Sequence, residues 1–174
     1  MVETESGTRF EQLMLPHLDA AYSLARYLVR DVHDAEDLVQ DAYLRALRYF
    51  DSFRGGDERA WLLTIVRRTC YSWLKRRRDR PSLTEFDEAE HGVELGKDPE
   101  AQAVDGALRD RLSRAVEALP IEFREVVVLR DVQDLSYKEI ASVLGIPLGT
   151  VMSRLARARR RLQTMLPVED LGRT

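Results

Sequence analysis

The stretch LSYKEIASVLGIPLGTVMSRLARARRRL, residues 135–162, decides how this chain is read. Ser136 followed three residues later by Glu139 is a pattern in which each side chain satisfies the other's backbone N–H, so a helix starts here. Ile140 and Leu144 then fall one turn apart on an inward face, and Ala141 is small where a second helix must come close. Gly145 stands where that helix ends and the backbone turns most easily to positive φ. Ile146 plugs the turn, and Val151 and Leu155 give the following helix its own inward face. This spacing is that of a helix-turn-helix, whose second helix enters the major groove of DNA.

The second helix has the charge that such a role needs. It carries Arg154, Arg157, Arg159, Arg160 and Arg161, with no acid between Gly149 and Leu166. Five cations on one helix repel one another unless an anion is near, and each DNA phosphate neutralised adds about 0.9 to the salt slope of binding. Leu148, Gly149, Thr150, Met152 and Ser153 lie at its start, where they meet base edges or the nearest phosphates. The plain alternative is a solvated basic helix ending a bundle.

Outward from this stretch, charge is distributed in blocks. The 174 residues carry a net charge of −3, which by itself hides any anionic partner. Residues 1–53 sum to −5, 54–80 to +6, 81–105 to −7 and 106–174 to +3. Alternating blocks of this kind suit different partners for different parts of the chain. Hydrophobic residues at 44% and charged residues at 33% suit a packed protein rather than a disordered one.

Composition also excludes. Cys70 is the single cysteine, so no intrachain disulfide forms and a reducing compartment is expected. Its position in a helix reads as a buried small apolar residue rather than a redox switch. His17, His33 and His91 are scattered, so no metal site and no cofactor is expected. The longest uncharged stretch, residues 140–153, has 14 residues with a proline and two glycines, short of a membrane span. Glu3 and Glu5 without a basic segment argue against a signal peptide, and the expected location is the cytoplasm. Nothing resembles a catalytic constellation, so the chain is not expected to be an enzyme.

The expected fold class is all-α, two small helical domains joined by an extended acidic linker. Phe10, Leu13, Met14, Ala21, Leu24, Ala25 and Leu28 mark a first amphipathic helix that Pro16 kinks or starts late. Asp34 is a candidate cap for a second, with Ala35, Leu38, Ala42, Ala46 and Tyr49 or Phe50 on one face. Residues 51–59, with Gly55-Gly56, make a loop, and a third helix runs over 60–78. Pro81, Gly92, Gly96 and Pro99 with eight acids make 81–105 the linker. Helical faces resume with Leu108, Leu112, Ala115, Val116 and Leu119, break at Pro120, and continue to about Leu166. The expected boundaries are therefore 1–80, 81–105, 106–167 and a tail of 168–174.

Two N-terminal surfaces suggest contacts. The third helix mixes Trp61, Tyr71 and Trp73 with Arg67, Arg68 and Lys75 to Arg78, a combination suited to single-stranded nucleic acid, where cations track the backbone and aromatic faces accept bases. The same aromatics also fit a core with a basic surface beside it. On the second helix, Asp37, Gln40, Asp41, Leu44 and Arg48 share a face away from the core, either a docking surface or a solvated one.

Together these residues resemble the bacterial sigma-70 family, in its small extracytoplasmic-function (ECF) group, which has neither a region-three domain nor a long N-terminal extension. DAEDLVQDAYLRAL (34–47) resembles conserved region two, FDSFRGGDERAWLLTIVRRTCYSWLKRRR (50–78) the minus-10 reading and melting segment, and LPIEFREVVVLRDVQDLSYKEIASVLGIPLGTVMSRLARARRRL (119–162) region four. The resemblance implies that Asp37, Gln40, Asp41, Leu44, Arg45 and Arg48 face core RNA polymerase, on the clamp helices of β′, with β as a further contact. It implies that Ser52, Phe53, Arg54, Gly55, Gly56 and Asp57 cradle a base flipped from the non-template strand. Trp61, Arg67, Arg68, Tyr71 and Lys75 would line the opened minus-10 strand. Leu148, Gly149, Thr150, Met152, Ser153, Arg154, Arg157 and Arg159 would contact the minus-35 duplex. The linker would thread toward the polymerase active site, mimicking nucleic-acid charge, and an anti-sigma protein would cover the same faces. The family commonly has Asn where this chain has Arg68, and a basic or polar residue where it has Met152.

Energetics limit what such a chain does alone. Opening DNA costs about 1.4 kcal/mol per stacking step, and a base stacked on an aromatic returns about 1–3 kcal/mol. One or two captured bases offset a few steps, not a bubble, so polymerase must supply the rest. The competing expectation is a helix-turn-helix regulator that acts without docking on polymerase.

Overall fold

In the computed structural model, residues 2–80 and 102–166 are described, with side chains from 5 and from 106. Residues 81–101 of the linker expected over 81–105, and the tail from 168, lie outside the described residues. Among the described residues the chain is helical without strands: α1 Val2–Met14, α2 Leu18–Val29, α3 Val32–Arg48, α4 Glu58–Asp79, α5 Gln102–Glu117, α6 Ile121–Val127, α7 Tyr137–Leu144 and α8 Leu148–Met165.

Local chemistry sets the ends. Pro16 sits in a 3-10 turn over Leu15–His17 that separates α1 from α2, so the expected first helix is two. Arg30 closes α2 in the left-handed region at φ 59°. Asp31, not Asp34, caps α3: the Asp34 N–H donates to Asp31 Oδ1 at 2.9 Å. That amide bond holds the Asp31 carboxyl below the ordinary range, whereas burial and then the neighbouring Asp31 charge push Asp34 up. Phe50 is the buried aromatic at the end of α3 and Tyr49 the exposed one. The loop to α4 opens with a 3-10 turn over Phe50–Ser52 and turns through Gly55 and Gly56, at φ 86° and 103°, conformations that L side chains rarely adopt. α5 begins at Gln102, before the expected boundary at 106, since no glycine or proline stands between 102 and 105. After α6 the helix widens to π geometry over Val128–Val132, with the Gln133 N–H reaching the Val128 carbonyl at 2.9 Å.

The helices form two bundles. In α1–α4, Phe10, Met14, Leu24, Leu28, Leu38, Ala42, Leu62, Leu63, Val66 and Cys70 fill the interior. In α5–α8 the interior is Val116, Leu119, Val126 to Leu129, Leu135, Ile140, Val151, Leu155 and Ala158. Each core is thin, and the two are continuous: the buried residues of both halves form one hydrophobic cluster. α2 packs on α6 and α4 packs on α7. Cys70 is fully buried and its thiol is pushed up to about 12 by that burial. Among the described residues no single helix is long and apolar enough to cross a membrane, and no His, Cys, Asp and Glu grouping is placed to hold a metal.

Candidate nucleic-acid and polymerase interfaces

The expected C-terminal motif has the expected geometry. The Glu139 N–H donates to Ser136 Oγ at 3.1 Å and the Ser136 N–H to Glu139 Oε2 at 2.6 Å, a complete capping box. Gly145 takes φ 64°, and α7 and α8 meet at 102°, within the range of a helix-turn-helix. Ile140, Leu144, Val151 and Leu155 are all buried. At the start of α8, Leu148, Gly149, Met152 and Ser153 are exposed and Thr150 is half-buried. No side chain caps α8 and no acid lies in its first turn, so its N–H groups and dipole carry uncancelled positive potential there. Arg157 is exposed. Arg159 is exposed but engaged: its guanidinium donates to Asp131 at 2.6 and 3.4 Å, which raises its pKa above the ordinary range. Arg161 lies 4.8 Å over the Phe123 ring. Arg154 is half-buried, 4.0 Å from the Glu125 carboxylate.

On α3, Asp37, Gln40, Asp41, Leu44, Arg45 and Arg48 are all exposed, while Ala35, Leu38, Ala42 and Ala46 face the core. Among the described residues none of the six side chains makes a hydrogen bond or ion pair. Leu44 is 66% exposed, and Leu47 and Tyr49 join it as exposed apolar groups that sequence reasoning did not place in the site. An exposed leucine framed by charges on a rigid helix is a surface suited to a protein partner.

The expected strand-binding residues divide. In the loop, Ser52, Arg54, Gly55, Gly56 and Asp57 are exposed. Ser52 donates its hydroxyl to the Tyr49 carbonyl at 2.6 Å, and Asp57 caps α4 by accepting the Ala60 N–H at 2.9 Å. Phe53 stacks on Phe50 at 6.0 Å and meets Trp61 at 5.2 Å, so Trp61 belongs to an aromatic cluster that also supports the loop. Beside it opens a cavity of about 330 Å³ lined by Glu5, Ser6, Arg9, Phe50, Asp51 and Phe53. Arg68 and Lys75 are exposed along α4.

Arg67 and Tyr71 face the other bundle. Arg67 donates to Glu125 from Nε at 2.8 Å and from Nη2 at 3.3 Å, and the Tyr71 hydroxyl donates to Glu125 Oε2 at 2.9 Å. Burial pulls the Arg67 pKa down, but the bond and charge of Glu125 outweigh it and the net shift is upward. Burial, then the Glu125 charge, pushes the Tyr71 phenol up. Next to Glu125, Arg124 is buried and donates to the Tyr27, Leu28 and Leu119 carbonyls at 3.1, 3.3 and 2.8 Å. The Tyr27 and Leu28 carbonyls lie at the end of α2, where the helix dipole favours a cation. Burial and the Arg30 charge lower the Arg124 pKa to about 10, so it stays charged near neutrality. Sequence reasoning missed Arg124 and Glu125. The available signal was a charged pair inside the apolar run FREVVVL, where exposure is not expected.

Comparison with known proteins gives a consistent picture. Residues 13–80 match the model of sigma-70 region 2 and residues 109–162 that of sigma-70, region 4. The chain is 36% identical to the ECF RNA polymerase sigma-E factor of Escherichia coli, over 74% of this chain and 72% of that one. It is 36% identical to ECF RNA polymerase sigma factor SigE of Mycolicibacterium smegmatis over 90% of this chain, spanning 61% of that protein's length. Its fold is similar to that of the sigma factor RpoE bound to the anti-sigma factor NepR from Bartonella quintana, with a TM-score of 0.74 and 33% identity, covering 92% of this chain and 98% of that one. CnrH bound to the cytosolic domain of CnrY is similar with a TM-score of 0.65 and 25% identity, covering 95% of each chain.

Proposed function

The chain belongs to the sigma-70 family, in its ECF group, and from that premise we propose that it docks on core RNA polymerase and directs promoter-specific initiation. In this reading α3 seats on the β′ clamp helices through Asp37, Gln40, Asp41, Leu44, Arg45 and Arg48, with β as a further contact. The α8 helix reads the minus-35 duplex. The loop before α4, with the exposed face of α4, holds the melted non-template minus-10 strand. The observation that carries the proposal is that one chain presents two separate outward surfaces. One is an exposed, charge-framed leucine face on α3, and the other is the uncapped, acid-free start of α8. A regulator that only binds duplex DNA needs the second and not the first.

The chain is a directing subunit and not an enzyme, since polymerase performs the chemistry. Its place is the cytoplasm, and the nucleoid when polymerase carries it there. Control by an anti-sigma protein fits the likeness to RpoE with NepR and to CnrH with CnrY.

The test is binding to purified core with the doubly charge-reversed Asp37→Lys/Asp41→Lys protein. The expected result is at least a tenfold loss of core affinity and of promoter-specific transcription, with helicity and duplex binding retained. Unchanged core binding would show that docking uses another face. A wild-type chain that binds promoter duplex but never core would support the regulator reading instead.

A further inference from the structure

The outward face at the start of α8 is apolar. Leu148 is 47% exposed and Met152 51%, and neither belongs to the core cluster that Val151 and Leu155 join. Four positions apart, they share one side of the helix, about 6 Å from each other along its axis. From 148 to 153 no side chain carries an amide, a guanidinium or an ammonium group. Thr150 is half-buried, and the Ser153 hydroxyl donates to the Thr150 carbonyl at 3.1 Å. The arginines begin at 154, and Arg154 itself lies 4.0 Å from the Glu125 carboxylate.

Small residues keep Met152 uncovered. Gly149 stands three positions before it and the exposed Ala156 four after. Gly149 is helical and has no positive φ, unlike Gly145, and an added Cβ would meet nothing within 4 Å. Neither backbone geometry nor packing within the protein calls for glycine there, and glycine is a poor helix former. The missing side chain leaves a slot beside the Met152 thioether.

A slot of this kind has one complement in the major groove. Base edges there present hydrogen-bond donors and acceptors and a single apolar group, the C5-methyl of thymine. Arg, Lys, Asn and Gln read guanine and adenine by paired hydrogen bonds, and residues 148–153 include none of them. A methionine fits a methyl well, being unbranched, polarizable and adaptable in shape. At about 3.4 Å per base pair, the separation of the two side chains spans about two base-pair steps.

We propose that Leu148 and Met152 read two thymine methyl groups lying within about three base pairs of each other in the minus-35 duplex, with Gly149 leaving room for one of them. The proposal rests on the reading of α8 as the helix that enters that duplex, and it supplies the base preference. The cations of the later turns hold phosphates and set affinity and salt dependence, while the apolar pair sets sequence.

Full-length chain assembled with purified core polymerase selects from a random-sequence duplex library. The upstream enriched motif is then resynthesised with deoxyuridine in place of each thymidine in turn, which removes the methyl and nothing else. The motif is expected to hold two thymines within about three base pairs, and loss of either methyl to weaken binding about fourfold. Met152→Ala abolishes the sensitivity at one thymine and Leu148→Ala at the other, with helicity retained because both side chains are exposed. Met152→Arg moves the preference at its position to guanine. Gly149→Ala raises the melting temperature yet narrows the difference between thymidine and deoxyuridine. An upstream motif without thymine, or one indifferent to the methyl, overturns the proposal and leaves the sigma reading intact. So does a loss of core binding by Met152→Ala and Leu148→Ala with base preference unchanged, which makes the pair a protein contact. If wild type with core enriches no upstream motif, the reading of α8 as the minus-35 helix fails, and the proposal with it.

Discussion

The helices α4 and α8 have nearly the same ingredients and different standing in the molecule. Both are long, both carry arginines, and both are assigned to DNA. α4 runs through its bundle, burying Ala60, Leu62, Leu63, Val66, Thr69 and Cys70, and its first turn is closed by Asp57. α8 buries the narrow stripe Val151, Leu155 and Ala158, and begins without a side-chain cap or an acid. Of the residues expected on α4 to meet the strand, Arg67 and Tyr71 already have a carboxylate. The first turn of α8 has no acid. Cation content alone does not separate the two helices; the surface packed against each decides which of its cations are already paired.

The comparison breaks most visibly if the narrow stripe of α8 is removed. Leu155→Asp buries an unpaired carboxylate at a position 2% exposed, which costs several kcal/mol, much of a small domain's stability. Calorimetry is expected to show the C-terminal bundle lost and duplex binding gone. A second, smaller effect sits at the turn. Gly145→Val forces a β-branched residue to φ 64°, at a cost of about 1–2 kcal/mol, read as a lower melting temperature. Next come the caps. Asp57→Ala at α4 and Ser136→Ala at α7 are each expected to cost about 1 kcal/mol in urea unfolding. A null effect of Asp57→Ala would erase the distinction between a capped α4 and an open α8.

How much of this was legible beforehand follows the range of the interaction. The capping box, Gly145, the inward stripes and the all-α class were readable because each depends on residues within a few positions. Asp31 and Asp34 are both capping residue types near the same helix start, and backbone geometry alone separates them. The exposure of the α3 face followed from period alone. The closed packing of the bundles was not legible. Glu125 and Arg67 are 58 positions apart, and Arg124 finds the Tyr27 carbonyl 97 positions away. No periodicity encodes such pairs, so Arg67 and Arg68 looked alike in sequence although one faces a carboxylate and the other is exposed.

The smallest effect tests the same distinction within α8. Arg157 is exposed, whereas Arg159 donates two bonds to Asp131. A phosphate that captures Arg157 releases counterions and gives up no protein contact. One that captures Arg159 must first break an exposed ion pair, which is worth about 1 kcal/mol or less. Arg157→Ala should therefore lower the salt slope of duplex binding by about 0.9. Arg159→Ala should weaken binding less at any given salt. Asp131→Asn should tighten binding severalfold by freeing Arg159, and that gain should vanish when Arg159→Ala is added. Fluorescence anisotropy on a minus-35 duplex across a salt series measures the three single variants and the double one. Equal losses for Arg157→Ala and Arg159→Ala, with no gain from Asp131→Asn, would mean that the Asp131 pair does not withhold Arg159 from the duplex. The contrast between committed and open cations would then hold only where burial protects the pair, as it does at Glu125.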